Sequence, residues 1–315
     1  MDIRDTVAAI DVGSNSIKVL VARRGRSTSL IETFATKTIE TRISQGISHD
    51  NPELSESAIQ RGTATIVELF ELAHSYNPRE IQIVATSAVR DARNGQDFIR
   101  SVAAATGLTI RILKGQEEAT YIGKGLACDP AIHGIDRFIQ MDIGGGSLEL
   151  VRFNAGKIEQ AISLQLGAVR LSERFISDPT LAVSEGVESA IRFHVREALF
   201  ESGFNFDGVG TPLIATGGAF TVARSLLAGQ NGSTIDQFKA TLSLEEIRQL
   251  KQQVTQLPLA ERKALPNLPT SRADIIPSAL ITIEQVLQTA QRDTLTHSFY
   301  NLRYGIVAEM LGLAK

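Results

Sequence analysis

Two segments of the sequence share one pattern: an apolar strand, an acid, a turn of glycine and serine, and a second apolar strand. The central copy runs from Asp142 to Glu149 and the early copy from Asp11 to Lys18. Aligned without gaps, the copies pair Asp11 with Asp142, Gly13 with Gly144, Ser16 with Ser147 and Lys18 with Glu149. Apolar alternation on both sides of a glycine turn predicts a hairpin. One hairpin early in each half predicts a duplicated domain, with the two turns facing each other across a cleft.

The central turn has the composition of a phosphate site. Glycine lacks a Cβ, so residues 144–147 can bring backbone N–H groups close to phosphate oxygens. Asp142 and Glu149 would then lie beside a polyanion, an arrangement that needs a hard cation such as Mg²⁺ between them. The alternative is a glycine-rich hairpin with incidental acids. The second copy of the pattern favours the phosphate site.

Length and charge restrict the class of protein. A chain of 315 residues predicts two domains. The net charge of −3, from 32 Lys and Arg against 35 Asp and Glu, gives no basic field, so neither nucleic acid nor a membrane surface is expected as a partner. One cysteine excludes an intramolecular disulfide, and five histidines without ligand spacing make a zinc site unlikely. With no signal-like start or membrane-length apolar run, the cytoplasm is the expected location.

Further along the chain, three junctions between a strand and a polar segment carry candidate functional residues. Arg90 follows the apolar strand at 81–85, where ligands bind in open α/β sheets, and is a candidate phosphate clamp; the alternative is a solvated surface charge. At the second junction, Gly217 and Gly218 follow the apolar strand at 213–216 and open a helix. A phosphate or nucleotide could lie near the start of that helix, although the glycine pair alone is a weak signal.

The third junction places two acids, Glu117 and Glu118, at the start of a helix. Acids in a first turn are favoured by the helix dipole, so this could be an ordinary N-terminus. Otherwise one of them is a general base, and it would act on water because no pattern proposes a protein nucleophile. Near the end, residues 241–256 are predicted as one helix and residues 257–274, with three prolines, as a connecting loop.

Together these motifs resemble the exopolyphosphatase/guanosine pentaphosphate phosphohydrolase (Ppx/GppA) family in its short, two-domain form. The motifs that carry the resemblance occur in family order at residues 10–16 (IDVGSNS), 85–92 (ATSAVRDA), 115–119 (GQEEA), 142–149 (DIGGGSLE) and 166–170 (LGAVR). The resemblance implies an α/β fold with two ribonuclease-H-like domains of the actin-like ATPase and sugar-kinase superfamily, flanking a cleft. The domains are expected at 1–125 and 126–297, with a C-terminal helix at 298–315 packed on the first.

The resemblance also implies roles for individual residues. Glu118 matches the catalytic glutamate of the family, and Asp142 and Glu149 match the acids of its second phosphate motif. The expected metal ligands are Asp11, Asp142 and Glu149. The expected phosphate-binding residues are Gly13, Ser14, Asn15, Ser16, Arg90, Gly144, Gly145, Gly146, Ser147, Gly217 and Gly218. The chain departs from the family pattern at Lys18, Gln165 and Tyr304, which affects specificity and the hinge region more than chemistry.

The expected activity is an exopolyphosphatase that uses Mg²⁺, with Mn²⁺ as an alternative, to remove the terminal phosphate of inorganic polyphosphate. Three alternatives stay open: a guanosine pentaphosphate (pppGpp) 5′-phosphatase, a kinase of the same superfamily, and a non-catalytic sensor of alarmone or polyphosphate. Chain-length preference and oligomeric state, with a homodimer as one option, are also left open.

Overall fold

The computed structural model describes residues 5–26, 30–45, 52–132, 134–155, 157–206 and 210–313. The chain divides into two compact units, Met1–Ile135 with Tyr300–Lys315, and Asp136–Phe299. The strands are β1 (Val7–Val12), β2 (Ser16–Arg24), β3 (Ile31–Glu40), β4 (Glu80–Ala85), β5 (Ile110–Ile112), β6 (Arg137–Ile143), β7 (Leu148–Asn154), β8 (Lys157–Leu164), β9 (Leu213–Thr216), β10 (Thr241–Ser243) and β11 (Thr294–His297). The helices are α1 (Glu56–His74), α2 (Ser87–Asp91), α3 (Gly95–Thr106), α4 (Gly115–Leu126), α5 (Ala168–Phe175), α6 (Glu185–Glu201), α7 (Gly218–Gln230), α8 (Leu244–Gln256), α9 (Leu259–Lys263), α10 (Ile276–Thr289) and α11 (Leu302–Met310).

The first unit is built on a mixed sheet with the strand order β3-β2-β1-β4-β5. Strands β1, β2 and β3 are joined as antiparallel neighbours, and β4 and β5 continue the sheet in parallel with β1. Ile10, Val12 and Val19 contribute to an apolar cluster on one face that includes buried side chains of α1 and α3. Side chains alternate between faces along a strand. The next residues along the strands, such as Ala9 and Leu20, therefore face α4 and α11.

Helices α4 and α11 approach each other closely because glycines lie at their contact. A Cβ at Gly305 would lie 1.7 Å from the backbone oxygen of Tyr121, and one at Gly125 would lie 2.3 Å from the backbone oxygen of Asn301. Polar side chains join the same two helices, since Glu309 accepts from the Tyr121 hydroxyl at 2.6 Å and from the Lys124 ammonium at 2.5 Å. The position of α4 in the first unit therefore depends on α11.

The second unit repeats the sheet of the first. Its strand order is β10-β11-β9-β6-β7-β8, with β6, β7 and β8 antiparallel and β9 parallel to β6. Removing the edge strand β10 leaves the order seen in the first unit. The register also repeats. Asp11 pairs with Lys18 across the first hairpin, and their matches in the gapless alignment, Asp142 and Glu149, pair across the second. The predicted fold class, two ribonuclease-H-like α/β domains, is therefore confirmed.

Helices cover one face of the second sheet. Ile139, Met141 and Leu150 belong to a cluster of buried apolar side chains drawn from α5, α6, α7, α8 and α10. Helix α10 is buried on nearly all sides and packs against α6 and α8. Helix α6 begins at Ser184, whose hydroxyl accepts from the N–H of Val187, as expected for a capping serine.

Two local predictions for the second unit were wrong. Residues 241–243 form strand β10 rather than the start of a helix, because they pair with β11 and because Ser243 and Glu246 form a capping box that sets the start of α8. Residues 259–263 form helix α9 rather than loop. Its Arg262 is fully buried and donates to the backbone oxygens of Pro179, Leu181 and Ala273.

Within the described residues, no helix combines the length and the apolar character that crossing a membrane requires.

Candidate active site

In the second unit, the carbonyl groups of the 144–147 turn are bound by the start of α5. The turn closes through a bond from the Gly144 N–H to the Ser147 oxygen at 2.9 Å. The N–H groups of Ala168 and Val169 then donate to the oxygens of Gly144 and Gly145 at 3.0 and 2.9 Å. The first N–H groups of a helix lack partners within it, so the turn satisfies donors that α5 would otherwise leave free.

The hydrogen bonds from α5 use the carbonyl groups of the turn and not its N–H groups. In the part of the chain that the structure describes, no oxygen accepts from the N–H groups of Gly145, Gly146 or Ser147. Successive unbonded N–H groups in a turn form a concave site for an anion. The approach requires Gly167, since a Cβ there would lie 2.3 Å from the carbonyl carbon of Gly146.

Asp142 lies just before the 144–147 turn and Glu149 just after it, and hydroxyl groups hold both carboxylates. The Thr216 hydroxyl donates to Asp142 Oδ2 at 2.5 Å, and the Ser163 hydroxyl donates to Glu149 Oε1 at 2.7 Å. Glu149 is only 1% exposed. Because a buried carboxylate such as Glu149 is costly without partners, the Ser163 hydroxyl both stabilises and orients it, and the Thr216 hydroxyl orients Asp142 in the same way.

The strand-to-helix junction at Gly217 and Gly218 belongs to the same site as Asp142. Gly217 has a φ of +98°, and a Cβ there would lie 2.5 Å from Asp142 Oδ1. A Cβ at Gly218 would lie 2.3 Å from Nη1 of Arg272, so that guanidinium rests on the first residue of α7. The junction therefore places a carboxylate and a guanidinium at the start of one helix.

The donor set suits magnesium bound together with a phosphate. Among the described residues, no group of three or more His, Cys, Asp and Glu side chains is arranged to hold a metal ion. Mg²⁺ usually takes one or two carboxylates from a protein and completes its shell with water and substrate phosphate. Asp142 and Glu149, as cross-strand neighbours next to the 144–147 turn, fit that requirement.

The early turn in the first unit is built on the same plan. The Gly13 N–H donates to the Ser16 oxygen at 3.1 Å. The carbonyl of Asn15 accepts from the N–H groups of Thr41 and Arg42, both at 2.9 Å. A segment after β3 thus binds the turn's carbonyls, as α5 does in the second unit. The Asn15 Oδ1 atom is buried without a hydrogen-bond partner among the described residues.

Asp11, the match of Asp142, has cationic neighbours in its own unit. The Lys18 ammonium lies 4.0 Å from Asp11 Oδ2. Arg303 of α11 is buried and donates to the Val19 oxygen and the Thr36 hydroxyl at 3.0 and 3.1 Å. Burial lowers the pKa of the Arg303 guanidinium, and the negative charge of Asp11 opposes that shift.

Arg90 and Glu118, predicted separately, contact each other. Arg90 Nη1 lies 3.1 Å from Glu118 Oε2 and donates to the Leu113 oxygen at 2.9 Å. Arg90 is therefore not simply a solvated surface charge, because its guanidinium contacts a carboxylate and a backbone oxygen. Glu118 is only 7% exposed. The guanidinium therefore holds the Glu118 carboxylate in one orientation.

The neighbouring acid, Glu117, has a different position. Its carboxylate accepts from the Lys114 N–H at 3.0 Å and from the Arg111 guanidinium at 2.9 Å, on the surface of the first unit. These contacts lower the pKa of Glu117, the backbone hydrogen bond first and the guanidinium second. Glu117 thus caps its own helix, and Glu118 is the buried acid of the pair.

Near the Gly217 junction, the second unit also contains a buried neutral histidine. His297 Nε2 lies 3.3 Å from the Thr221 hydroxyl, which also bonds to the Gly217 oxygen at 3.1 Å. Burial, with a smaller effect of the Arg224 charge, lowers the pKa of His297 to about 3. No sequence pattern had singled it out.

The buried His297 predicts a pH-dependent stability. Unfolding restores the ordinary pKa of about 6.5, so the unfolded chain binds the proton first and the folded state loses stability as the pH falls from about 6.5 towards 3. Between pH 7 and 5 this amounts to about 2 kcal/mol. Urea unfolding should show a shallower pH dependence for His297→Gln than for the wild type. Equal slopes would contradict this account.

Comparison with known proteins identifies a family whose model covers four of the five motifs described above. A model of the Ppx/GppA phosphatase family matches residues 20–314. The chain belongs to the Ppx/GppA phosphatase family. The match covers Arg90, Glu118 and the 142–149 hairpin but begins after Lys18. The early turn is therefore interpreted as an anion site only through its likeness to the central turn. Members of this family are phosphatase-type hydrolases.

Solved structures of the Ppx/GppA family share the whole fold. An exopolyphosphatase from Cytophaga hutchinsonii superimposes with a TM-score of 0.87 at 24% identity, over 98% of this chain and 99% of that one. The Aquifex aeolicus family member gives a TM-score of 0.79 at 23% identity, over 98% of each chain. At such identities the likeness shows the fold alone.

Sequence reasoning missed several residues that the structure places at these motifs. Thr216 and Ser163 bond to the two acids, Arg272 rests on Gly218, and Arg170 Nε donates to the Gly146 oxygen at 3.0 Å. Of these, only Arg170 carried a signal, because it ends the last of the five motifs of the Ppx/GppA family.

Proposed function

We propose that the chain is an exopolyphosphatase, which uses Mg²⁺, or Mn²⁺ in its place, to hydrolyse the terminal phosphoanhydride of inorganic polyphosphate. The observation that carries the proposal is the 144–147 turn, whose unbonded N–H groups lie between the fixed carboxylates Asp142 and Glu149. An anion site beside two carboxylates suits a phosphate that arrives with a divalent cation.

Groups suited to the reaction are present in both units. The N–H groups of the 144–147 turn bind the terminal phosphoryl group. Asp142 and Glu149 would hold the divalent cation, which when bound would supply positive charge to the phosphate oxygens. In the first unit the 13–16 turn offers a second anion site, with Asp11 as a further acid, and Arg90 adds a positive charge.

Glu118 acts as the general base. It accepts a proton from the attacking water, whose oxygen bonds to the terminal phosphorus while the bridging P–O bond breaks. The electrons of that bond leave with the shortened chain, and the products are orthophosphate and a polyphosphate one unit shorter. Arg90 keeps the Glu118 carboxylate oriented for this transfer.

The second candidate is hydrolysis of pppGpp at its 5′ end, which uses the same chemistry on a nucleotide. It is supported by the arrangement at Gly218, where Arg272 adds a guanidinium at the start of α7. A nucleotide with several phosphates could use that additional positive charge.

A single assay separates these functions. Phosphate release by the purified chain is measured on long polyphosphate, short polyphosphate and pppGpp, each with Mg²⁺, Mn²⁺ or chelator. The proposal predicts cation-dependent release that is fastest from polyphosphate. Faster release from pppGpp would favour the second candidate. Two parallel measurements follow ATP consumption and substrate binding. Consumption of ATP only with an added acceptor would indicate a kinase, and tight binding of polyphosphate or pppGpp without phosphate release would indicate a sensor; either result would refute the proposal.

A further inference from the structure

Helix α6 leaves large aromatic side chains in water. Phe193 is 57% exposed and Phe200 is 82% exposed. In the part of the chain that the structure describes, five large hydrophobic side chains are exposed, and three of them, Leu181, Phe193 and Phe200, lie within residues 181–200. Leu181 precedes the helix, and the two exposed phenylalanines on α6 itself are apolar surface of the kind found at interaction sites.

The exposed side chains form one stripe on α6. Phe193 and Phe200 are two helical turns apart, so they point in nearly the same direction. Arg196 and Glu197 lie between them on the same side and are also exposed, at 57% and 45%. The opposite side of the helix, with Ile191, Val195 and Leu199, belongs to the core of the second unit.

The order of residues along this stripe is complementary to itself. It reads Phe193, Arg196, Glu197, Phe200 in one direction. An antiparallel copy of the helix, related by a two-fold axis between Arg196 and Glu197, presents the same residues in reverse. Each phenylalanine then faces a phenylalanine, and each arginine faces a glutamate. Such a patch meets the requirement of a two-fold interface, in which one surface binds its own copy.

We propose that this stripe is the interface of a homodimer, in which α6 packs against α6 of a second copy of the chain. The charges favour that partner over an apolar ligand. Arg196 Nε lies 3.5 Å from Glu197 Oε1, and as an exposed pair the two contribute little to the stability of one protomer. An apolar partner would cover both charges without offering a new one, whereas a second copy adds an opposite charge to each.

The position of the Arg196 guanidinium over the Phe193 ring supports the same arrangement. The Arg196 guanidinium lies 5.2 Å from the centre of the Phe193 ring. This contact keeps the arginine beside the aromatic stripe, where the glutamate of a second copy would meet it. Aromatic residues and arginine are the side chains enriched in the centres of protein interfaces.

The first test measures the mass of the purified full chain by light scattering after gel filtration. At micromolar concentration the wild type is expected at twice the protomer mass of 34.1 kDa. Phe200→Glu and Phe193→Glu are each expected at the protomer mass with an unchanged circular dichroism spectrum. The matched control is Leu30→Glu, which places the same charge at a leucine that is 45% exposed in the other unit and should leave the dimer intact.

The second test uses the charges and detects non-specific association. Arg196→Glu alone and Glu197→Arg alone each place like charges opposite one another and should yield protomers. The double variant restores the complementary order and should restore the dimer. The proposal is overturned by a wild type of protomer mass, or by a dimer that persists in Phe200→Glu and in both single charge reversals. Failure of the double variant to dimerise when both single variants are protomers would also overturn the two-fold arrangement.

Discussion

Glu118→Gln is expected to lower kcat for phosphate release by about 10²–10⁴-fold, the usual effect of removing a general base. Glutamine has nearly the same shape and can still accept from Arg90 Nη1, which lies 3.1 Å from the carboxylate in the wild type. It cannot take a proton from water, so the rate falls while the fold and phosphate binding stay intact. Steady-state phosphate release and the thermal unfolding midpoint, measured on the same preparation, check both parts.

Glu117→Gln is the matched control, because it removes the adjacent acid of the same helix. Glu117 bonds to the Lys114 N–H and to Arg111 on the surface. Glutamine can keep the bond to the Lys114 N–H, so the substitution removes only a surface ion pair worth about 0–1 kcal/mol. The expected result is a small loss of stability with nearly wild-type kcat. Equal losses of rate in the two variants would show that Glu118 has no special role.

Gly305→Ala is expected to destabilise the first unit by about 1–3 kcal/mol or more, because it overfills a close helix contact. The new Cβ would lie 1.7 Å from the backbone oxygen of Tyr121, so α4 and α11 must separate. Since Glu118 lies in the first turn of α4, its position should shift and the phosphate-release rate should fall as well. Urea unfolding together with kcat measures both effects.

Gly186→Ala is the control for the glycine substitution. Gly186 lies in the exposed first turn of α6, and the nearest atom to its added Cβ is the Ser184 hydroxyl at 3.9 Å. Alanine has the higher helix propensity, so this variant should be neutral or slightly stabilising, by up to about 1 kcal/mol. If Gly305→Ala unfolds like Gly186→Ala, the close contact between α4 and α11 is not present in the protein.

The features that the sequence predicted best are those carried by local patterns. Period-two alternation around a glycine turn identified both hairpins, and the gapless alignment matched Asp11 with Asp142 and Lys18 with Glu149, which occupy equivalent cross-strand positions. Helix α1 begins at a local signal of the same kind, since the Ser55 hydroxyl accepts from the Ala58 N–H at 3.1 Å. Strand pairing and helix capping depend on neighbouring residues, so one sequence contains enough information to predict them.

The features that it did not predict depend on contacts between distant segments. Thr216 is 74 positions from Asp142, and nothing local marks it as the partner of that carboxylate. Arg303 and Arg272 are likewise brought to their positions by packing in their own units. Strand β10 was missed because its pairing with β11 overrode the helical pattern of the residues that follow.

The central claim is that water, activated by the protein, attacks the terminal phosphorus of polyphosphate. Hydrolysis in water enriched in heavy oxygen tests it most directly, with the products analysed by mass spectrometry. The account predicts one heavy oxygen atom in each released orthophosphate and none in the shortened chain, at a rate that Glu118→Gln reduces. Heavy oxygen in the shortened chain, or phosphate transfer that occurs only with an added acceptor, would contradict it.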